Sequence, residues 1–393
     1  MAKEEKISAL ERILTVLEGK IPDRVPSFCL GGDFEFVNNF MKSPYALTDE
    51  DMDQLEKDRV SFAIPFIHAI MAKFSPTDKL PGGLDAKIDM CWQTVGGLGL
   101  MKMEHTNELL LAHGGLFKVV VRDNGIPHFW YIGPGLLKKE HIEAYWNKEK
   151  EMKPDKSNFR NLSKIRRTML DKYDIVVSQG IAGPFENCIF GIGHANFARF
   201  ARKYPDFLQQ HMEFQWETFE EPALKLLMKS KPDIVMCGDD YGYNLGLQVH
   251  IKQWRQFIKP ILANYVKIAH DGGAKFLIHS CGDIHEVFPD FVEIGIDGVE
   301  SLKPKNNDLK MYREEYPEIT LIGTIDDSEL LKYESPEVIR NSVKTSIKTL
   351  GKKGGYIPGP TNFLLDQPPE NIVAQFKAIQ ELCLGDPYDI KKY

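Results

Sequence analysis

A histidine, a cysteine and several carboxylates stand in this chain at spacings that could hold a metal ion or move a proton. The tightest group is Lys275 to Asp283, KFLIHSCGD, a short apolar run that ends in His279, Ser280, Cys281 and Gly282. On an extended strand His279 and Cys281 share one face, about 6.6 Å apart at ~3.3 Å of rise per residue, and Ser280 takes the other. An imidazole nitrogen and a thiolate sulfur placed this way can converge on Zn²⁺, with bonds of about 2.0 and 2.3 Å. The same pair also reads as a core cysteine beside a hydrogen-bonded histidine. Glu300 ends the next apolar run and could supply a third ligand, or pair with Lys303 or Lys305. A His, Cys and carboxylate set with one open position has the composition of a catalytic zinc site. Asp239 and Asp240 are consecutive, so on a strand they face opposite sides and at least one should look toward the chemistry. Protonated, either could act as a general acid without a metal.

These residues need a frame that gathers several strand ends at one mouth. Short apolar runs that end in polar residues or Gly begin near residues 25, 86, 174, 233, 275, 298, 320 and 355, and helical stretches follow them. Strand followed by helix implies a parallel sheet, and eight such units imply a (β/α)₈ TIM barrel, here read as a single domain over 1–393. An open doubly wound sheet competes, but no G-x-G-x-x-G follows the first strand. Ile7, Leu10, Ile13, Leu14 and Leu17 at helical spacing predict an N-terminal helix, and residues 34–74 read as helical. Leu116–Val121 and His128–Ile132 flank Asp123-Asn124-Gly125, which predicts an inserted β-hairpin over about 115–135.

In a parallel barrel the C-terminal strand ends form the active face. Here they carry Cys29 and Asp33; Asp89 and Trp92; Gln179, Glu186 and Asn187; Asp239 and Asp240; His279 and Cys281; Glu300; Asp326 and Asp327; and Thr361 and Asn362. A strand-end Asp is more often a helix cap or turn residue than a catalyst. Trp92, Trp130, Tyr241 and Tyr243 could build a flat apolar pocket at the same mouth, or simply cover the core.

Composition narrows the classes. Of 393 residues 43% are apolar and 27% charged, which predicts a sizeable core. A net charge of −7 and a pI near 5.9 leave no electrostatic footprint for nucleic acid, and the basic stretch Lys164 to Lys172 alternates with apolar residues like a solvated helix face. The first twenty residues are charged and amphipathic, neither a signal peptide nor a membrane span, and no run of about 18 apolar residues occurs. Six cysteines without C-x-x-C pairing suit a reducing cytoplasm.

With these elements in place the motifs resemble the uroporphyrinogen decarboxylase superfamily. The resemblance rests on LERILTVLEGKIPDRVP at 10–26, GPFEN at 183–187, GDDYG at 238–242, HSCGD at 279–283, and GGYIPGPTNF followed by PPENI at 368–372. It implies a (β/α)₈ barrel and one of two activities, decarboxylation of uroporphyrinogen or methyl transfer to a corrinoid. The decarboxylases carry an arginine-rich segment after the first strand, and Cys29 to Phe40 contains no arginine. The methyltransferase branch binds zinc through an H-x-C like His279-Ser280-Cys281. Its thiol-alkylating members add a cysteine after the last strand, where this chain has GYIPGPTNFLLDQPP. The resemblance is therefore closer to the first methyltransferase of O-demethylase systems, which moves a methyl group from a methoxylated aromatic to a corrinoid protein. A uroporphyrinogen decarboxylase-like decarboxylase and a methylthiol or methylamine:corrinoid methyltransferase are the alternatives. On this reading Asp239, Asp240 and His279 are catalytic. His279, Cys281 and Glu300 hold zinc, and Trp92, Tyr241, Tyr243 and Asn362 contact substrate. The string Asp283-Ile284-His285 lacks the glycine of a D-x-H-x-x-G corrinoid motif, so the cobalamin is expected on a separate partner protein.

Overall fold

The computed structural model describes residues 7–31, 49–58, 88–94, 104–106, 109–121, 127–154, 156–159 and 162–383. Eight parallel strands pair in chain order: β1 (Phe28–Cys29), β2 (Met90–Thr94), β3 (Val176–Ala182), β4 (Ile234–Gly238), β5 (Lys275–His279), β6 (Gly298–Glu300), β7 (Thr320–Ile322) and β8 (Tyr356–Ile357). The Phe28 N–H donates to the Pro358 carbonyl at 2.9 Å, bringing the two edges of the sheet together. Helices intervene between strands, among them Lys259–Asp271, Phe288–Ile294, Leu309–Glu315 and Pro336–Leu350. The predicted (β/α)₈ barrel is the observed fold. Its strands are nearly continuous apolar runs, as burial on both faces requires.

Alternation along these strands decides what faces inward. Phe28, Met90, Val176, Ile234, Met236, Leu277, Ile322 and Ile357 form one cluster with Ala9, Ile13, Val16 and Leu17 of helix α1 (Ala9–Leu17). Val235, Cys237, Phe276, Ile278, Val299 and Leu321 instead pack into the cluster shared with the outer helices. The inner layer is therefore plugged at one end by α1, which opens with a capping box between Ser8 and Glu11.

The plug is pinned by buried charge. Arg12, fully buried, donates to Asp23 at 2.7 Å and to Asp89 at 2.8 Å. Arg24 grips both Asp89 oxygens at 2.7 Å, and the Ser27 N–H donates to the same carboxylate at 2.9 Å. This corrects the expectation that Asp89 lies at a strand's C-terminal end. β2 begins only at Met90, and Asp89 sits at its start, where two guanidinium groups need a buried counter-charge.

The predicted hairpin is half of a larger insertion. Strands Glu104–His105, Leu109–Ala112, Gly115–Val121 and Pro127–Pro134 form a four-stranded antiparallel sheet; the Asp123-Asn124-Gly125 turn lies outside the described residues. The sheet packs on the helix Pro184–Lys203, which breaks at Gly193 (φ 76°, ψ 156°). The Tyr131 hydroxyl donates to the Phe190 carbonyl at 3.1 Å and the Leu136 N–H to the Gly191 carbonyl at 2.9 Å. A Cβ on Gly191 would lie 2.4 Å from the His113 carbonyl oxygen, so only glycine permits the approach. Asp49–Lys57 is helical as expected; Asp33 and, apart from 49–58, residues 34–74 are outside the described residues. Among the described residues no helix is long and apolar enough to cross a membrane, and Cys29, Cys91, Cys188, Cys237 and Cys281 are free thiols.

Candidate metal centre

The register of β4, β5 and β6 places Gly238, His279 and Glu300 side by side. Inward parity then carries past the last paired residues, from Met236 to Asp240 and from Leu277 through His279 to Cys281. His279 Nε2 lies 3.6 Å from Cys281 Sγ and 3.7 Å from Asp240 Oδ1, and the donor atoms of the three residues all fall within 4.8 Å of one another. Bonds of about 2.0 and 2.3 Å at a tetrahedral angle put nitrogen and sulfur about 3.5 Å apart. The group therefore fits zinc in both ligand chemistry and spacing. The Cys281 N–H fixes the loop by donating to Asp240 Oδ1 at 2.7 Å.

Glu300 was expected as the third ligand, and the geometry gives that place to Asp240. The fully buried Glu300 carboxylate takes the opposite side of the imidazole and hydrogen-bonds Nδ1 through Oε2. A proton held at Nδ1 turns the Nε2 lone pair toward Cys281 and Asp240, the usual service of a carboxylate behind a metal-binding histidine. Burial alone would lower the His279 pKa, but the Glu300 charge and the Cys281 contact outweigh it and raise it above its ordinary range, so a metal ion taking Nε2 would displace a proton from that nitrogen. Burial raises the Glu300 pKa, and His279 opposes that rise in part.

Cys281 has two further neighbours. Its sulfur is 3.3 Å from Ser301 Oγ and 3.6 Å from Asn362 Nδ2. Ser301 donates to the Thr361 carbonyl at 2.7 Å and holds φ at 76°, a left-handed conformation that costs a non-glycine residue energy. Asn362, expected as a substrate contact, thus reaches the thiol. Nothing in the residue pattern had singled out Ser301; its position directly after Glu300 was the available signal.

The two aspartates divide the work. Asp239 faces outward, is fully buried, and accepts the Phe185 and Glu186 N–H groups at 3.1 and 2.7 Å. It caps the helix that begins at Pro184, whose own N-cap residue, Gly183, has no side chain to do so. Burial pushes its pKa up to about 7 against the pull of those N–H groups and the Tyr241 hydroxyl. Glu186 is half-buried, and burial together with the charges of Asp240 and Asp239 raises its pKa well above the carboxylate range.

Of the expected aromatic contacts, Trp92 alone joins the cluster. Its ring stacks on His279 (centroids 6.0 Å, 12° between planes) and tilts against Phe363 at 5.5 Å. Gly180 makes the seat: a Cβ there would lie 2.0 Å from Trp92 Nε1. Tyr241 is corrected to a core residue, because outward parity buries it against Phe185, Trp254 and Phe291. Tyr243 is 52% exposed on a small hairpin, and Trp130 lies exposed on the insertion sheet. Asp326 and Asp327 serve turns, accepting from Ser328 and Thr361 respectively.

The family model described as uroporphyrinogen decarboxylase matches residues 131–382. A methyltransferase from Methanosarcina mazei has a similar structure, with a TM-score of 0.59 at 17% identity over 96% of this chain and 99% of its own. A B12-independent methionine synthase from a Shewanella species gives a TM-score of 0.44 at 12% identity, covering 70% of this chain and 75% of its own. No curated protein matches the sequence.

Proposed function

The chain belongs to the uroporphyrinogen decarboxylase family, and from that premise we propose that it is a methyltransferase of the first step of O-demethylation. It takes a methyl group from a methoxylated aromatic and passes it to the cob(I)alamin of a separate corrinoid protein. The observation that carries this reading is the convergence of Asp240, His279 and Cys281 on one point, with Glu300 orienting the imidazole. Two further facts support it. A methyltransferase shares the fold, and Cys29 to Phe40 offers no arginine for the carboxylates of a tetrapyrrole. Leaving several such carboxylates without cationic partners would cost several kcal/mol of desolvation.

The leaving group of an aryl methyl ether is a phenolate, so negative charge must be stabilised at the ether oxygen as the methyl carbon is attacked. Zinc held by Asp240, His279 and Cys281 would supply a Lewis acid at that oxygen. Glu300 fixes the tautomer and direction of His279, and Asn362 and Ser301 hold the Cys281 sulfur in place. Trp92 presents an indole face beside His279 for an aromatic ring. Glu186, with its pKa raised, can hold a proton near Asp240 and give it to the departing phenolate oxygen. Asp239 acts on this chemistry only by fixing the helix that carries Glu186.

The test is an assay of the purified protein with free cob(I)alamin and, in turn, phenyl methyl ethers, methylthiols, methylamines and uroporphyrinogen. Phenol should form only when corrinoid is present, zinc should copurify, and His279→Ala should lose both. Release of CO₂ from uroporphyrinogen, or methyl transfer from a thiol or amine alone, would refute the aryl ether assignment.

A further inference from the structure

At the C-terminal end of β3, on the side that faces the outer helices, one cavity gathers polar groups that the site above does not use. It lies beside Ile181 and Ala182 of β3 and is walled in part by Asn187, Glu220, Tyr265 and His113. It offers about 10 Å³ to the centre of a water-sized sphere, which is the room one water needs. Three of these wall residues each carry a buried atom with no hydrogen-bond partner among the described residues: His113 Nδ1, Asn187 Oδ1 and Glu220 Oε2. The residues are themselves 7%, 3% and 4% exposed. Native interiors leave few such atoms unmatched, and three around one space call for a common partner.

The donors and acceptors fit a single occupant. Asn187 Nδ2 donates to Glu220 Oε1 at 3.0 Å, which leaves Asn187 Oδ1 as an acceptor. Burial pushes the Glu220 carboxyl up to about 8 and the His113 imidazole down to about 4, so at neutral pH the first keeps a proton and the second has a bare ring nitrogen. One water can accept from the protonated Glu220 Oε2 and donate to Asn187 Oδ1 and His113 Nδ1. That makes three hydrogen bonds, the usual number for a buried water.

The three residues belong to separate pieces of the fold. His113, at φ 51°, turns the chain between the second and third strands of the insertion. Asn187 lies in the first turn of Pro184–Lys203, and Glu220 ends the π-turn Trp216–Glu220. We propose that this cavity is a binding site for one ordered water, held by Glu220, Asn187 and His113, which fastens the inserted sheet to the barrel.

A crystal structure of the full chain at a resolution that shows waters should contain density within hydrogen-bond distance of all three atoms. The ¹⁵N shifts of His113 should report a neutral ring protonated at Nε2 at pH 7. Glu220→Gln keeps a donor at the Oε2 position and should retain the water and unfold at neutral pH at a midpoint no lower than the wild type's, whereas Glu220→Leu should lose the water and unfold at a lower midpoint than Glu220→Gln. A dry cavity in the wild-type structure would overturn the proposal. So would a protonated His113 paired directly with Glu220, which would also make Glu220→Gln as damaging as Glu220→Leu. The wild-type structure and the His113 shifts decide the matter even if a variant fails to fold.

Discussion

Glu300 and His279 show how much of a site lives in a partner that does not touch the reacting atoms. If Glu300 only orients the imidazole, Glu300→Gln should leave zinc bound but weaken it by about 10- to 100-fold in chelator competition. His279→Ala, which removes a donor atom, should abolish stoichiometric zinc; equal losses in the two variants would return Glu300 to the ligand set. The H-x-C pair was legible in the sequence because period-two alternation puts residues two apart on one face. Alternation also said that Asp239 and Asp240 must part company, but not which turns inward. That depends on phase relative to the barrel axis, which Met236 and Leu277 reveal only once they are seen packed with α1. Glu300 was legible as a neighbour of His279, but not that its carboxylate meets Nδ1 on the side of the ring away from Cys281, since a spacing along the chain does not say which ring nitrogen a carboxylate will meet.

At the scale of elements, the barrel's plug and its insertion follow different rules. α1 is held by Asp89, whose pKa burial alone would raise but which Arg24 and Arg12 bring below the usual value. Asp89→Asn would take the shared carboxylate from Arg24 and leave the buried Arg12 with Asp23 as its counter-charge, and should destabilise the fold by about 3 kcal/mol in urea unfolding. The sign with pH follows from the lowered pKa: the contribution is complete above the unfolded carboxylate pKa of about 3.9 and disappears as pH falls through the folded value. An Asp89→Asn variant with wild-type stability at pH 7 would show that the two arginines find other partners. Eight strands were legible because each is a short apolar run closed by polar or glycine residues. The location of Asp89 was not, because an Asp inside a run of strand-like residues looks the same at either end. The first two insertion strands were missed for a similar reason: Glu104–His105 and Leu109–Ala112 are too short to show a period. A second element-level prediction concerns the seat of Trp92. Gly180→Ala would push a methyl into the indole, so the variant's tryptophan emission should shift and turnover fall with little change in overall stability. An unchanged spectrum would mean that Trp92 does not rest on β3 in solution.

For the molecule as a whole, the protons kept inside should govern how stability varies with pH. Asp239 and Glu220 are both raised, mainly by burial, to about 7 and about 8, whereas an unfolded carboxyl releases its proton near 4. Between those limits the folded chain binds more protons than the unfolded one. The unfolding free energy should therefore fall as pH rises, by about 1.4 kcal/mol per pH unit for each such group. The decline should begin above about pH 4–5, lose the Asp239 share near pH 7, and level off once Glu220 has ionised. This runs against the rise that the lowered Asp89 produces at acid pH, so the most stable point should lie on the acid side of neutrality. Urea unfolding of chelator-treated protein from pH 4 to 9 checks this without the pH dependence that metal binding brings. Glu220→Gln should flatten the curve between about pH 5 and 8, because the amide has no proton to lose. A stability that holds level or climbs from pH 5 to 8 would mean that both carboxyls are ionised in the folded barrel. On the proposed reaction Glu186 would then lack the proton assigned to it beside Asp240, and a leaving phenolate would have to take one from solvent.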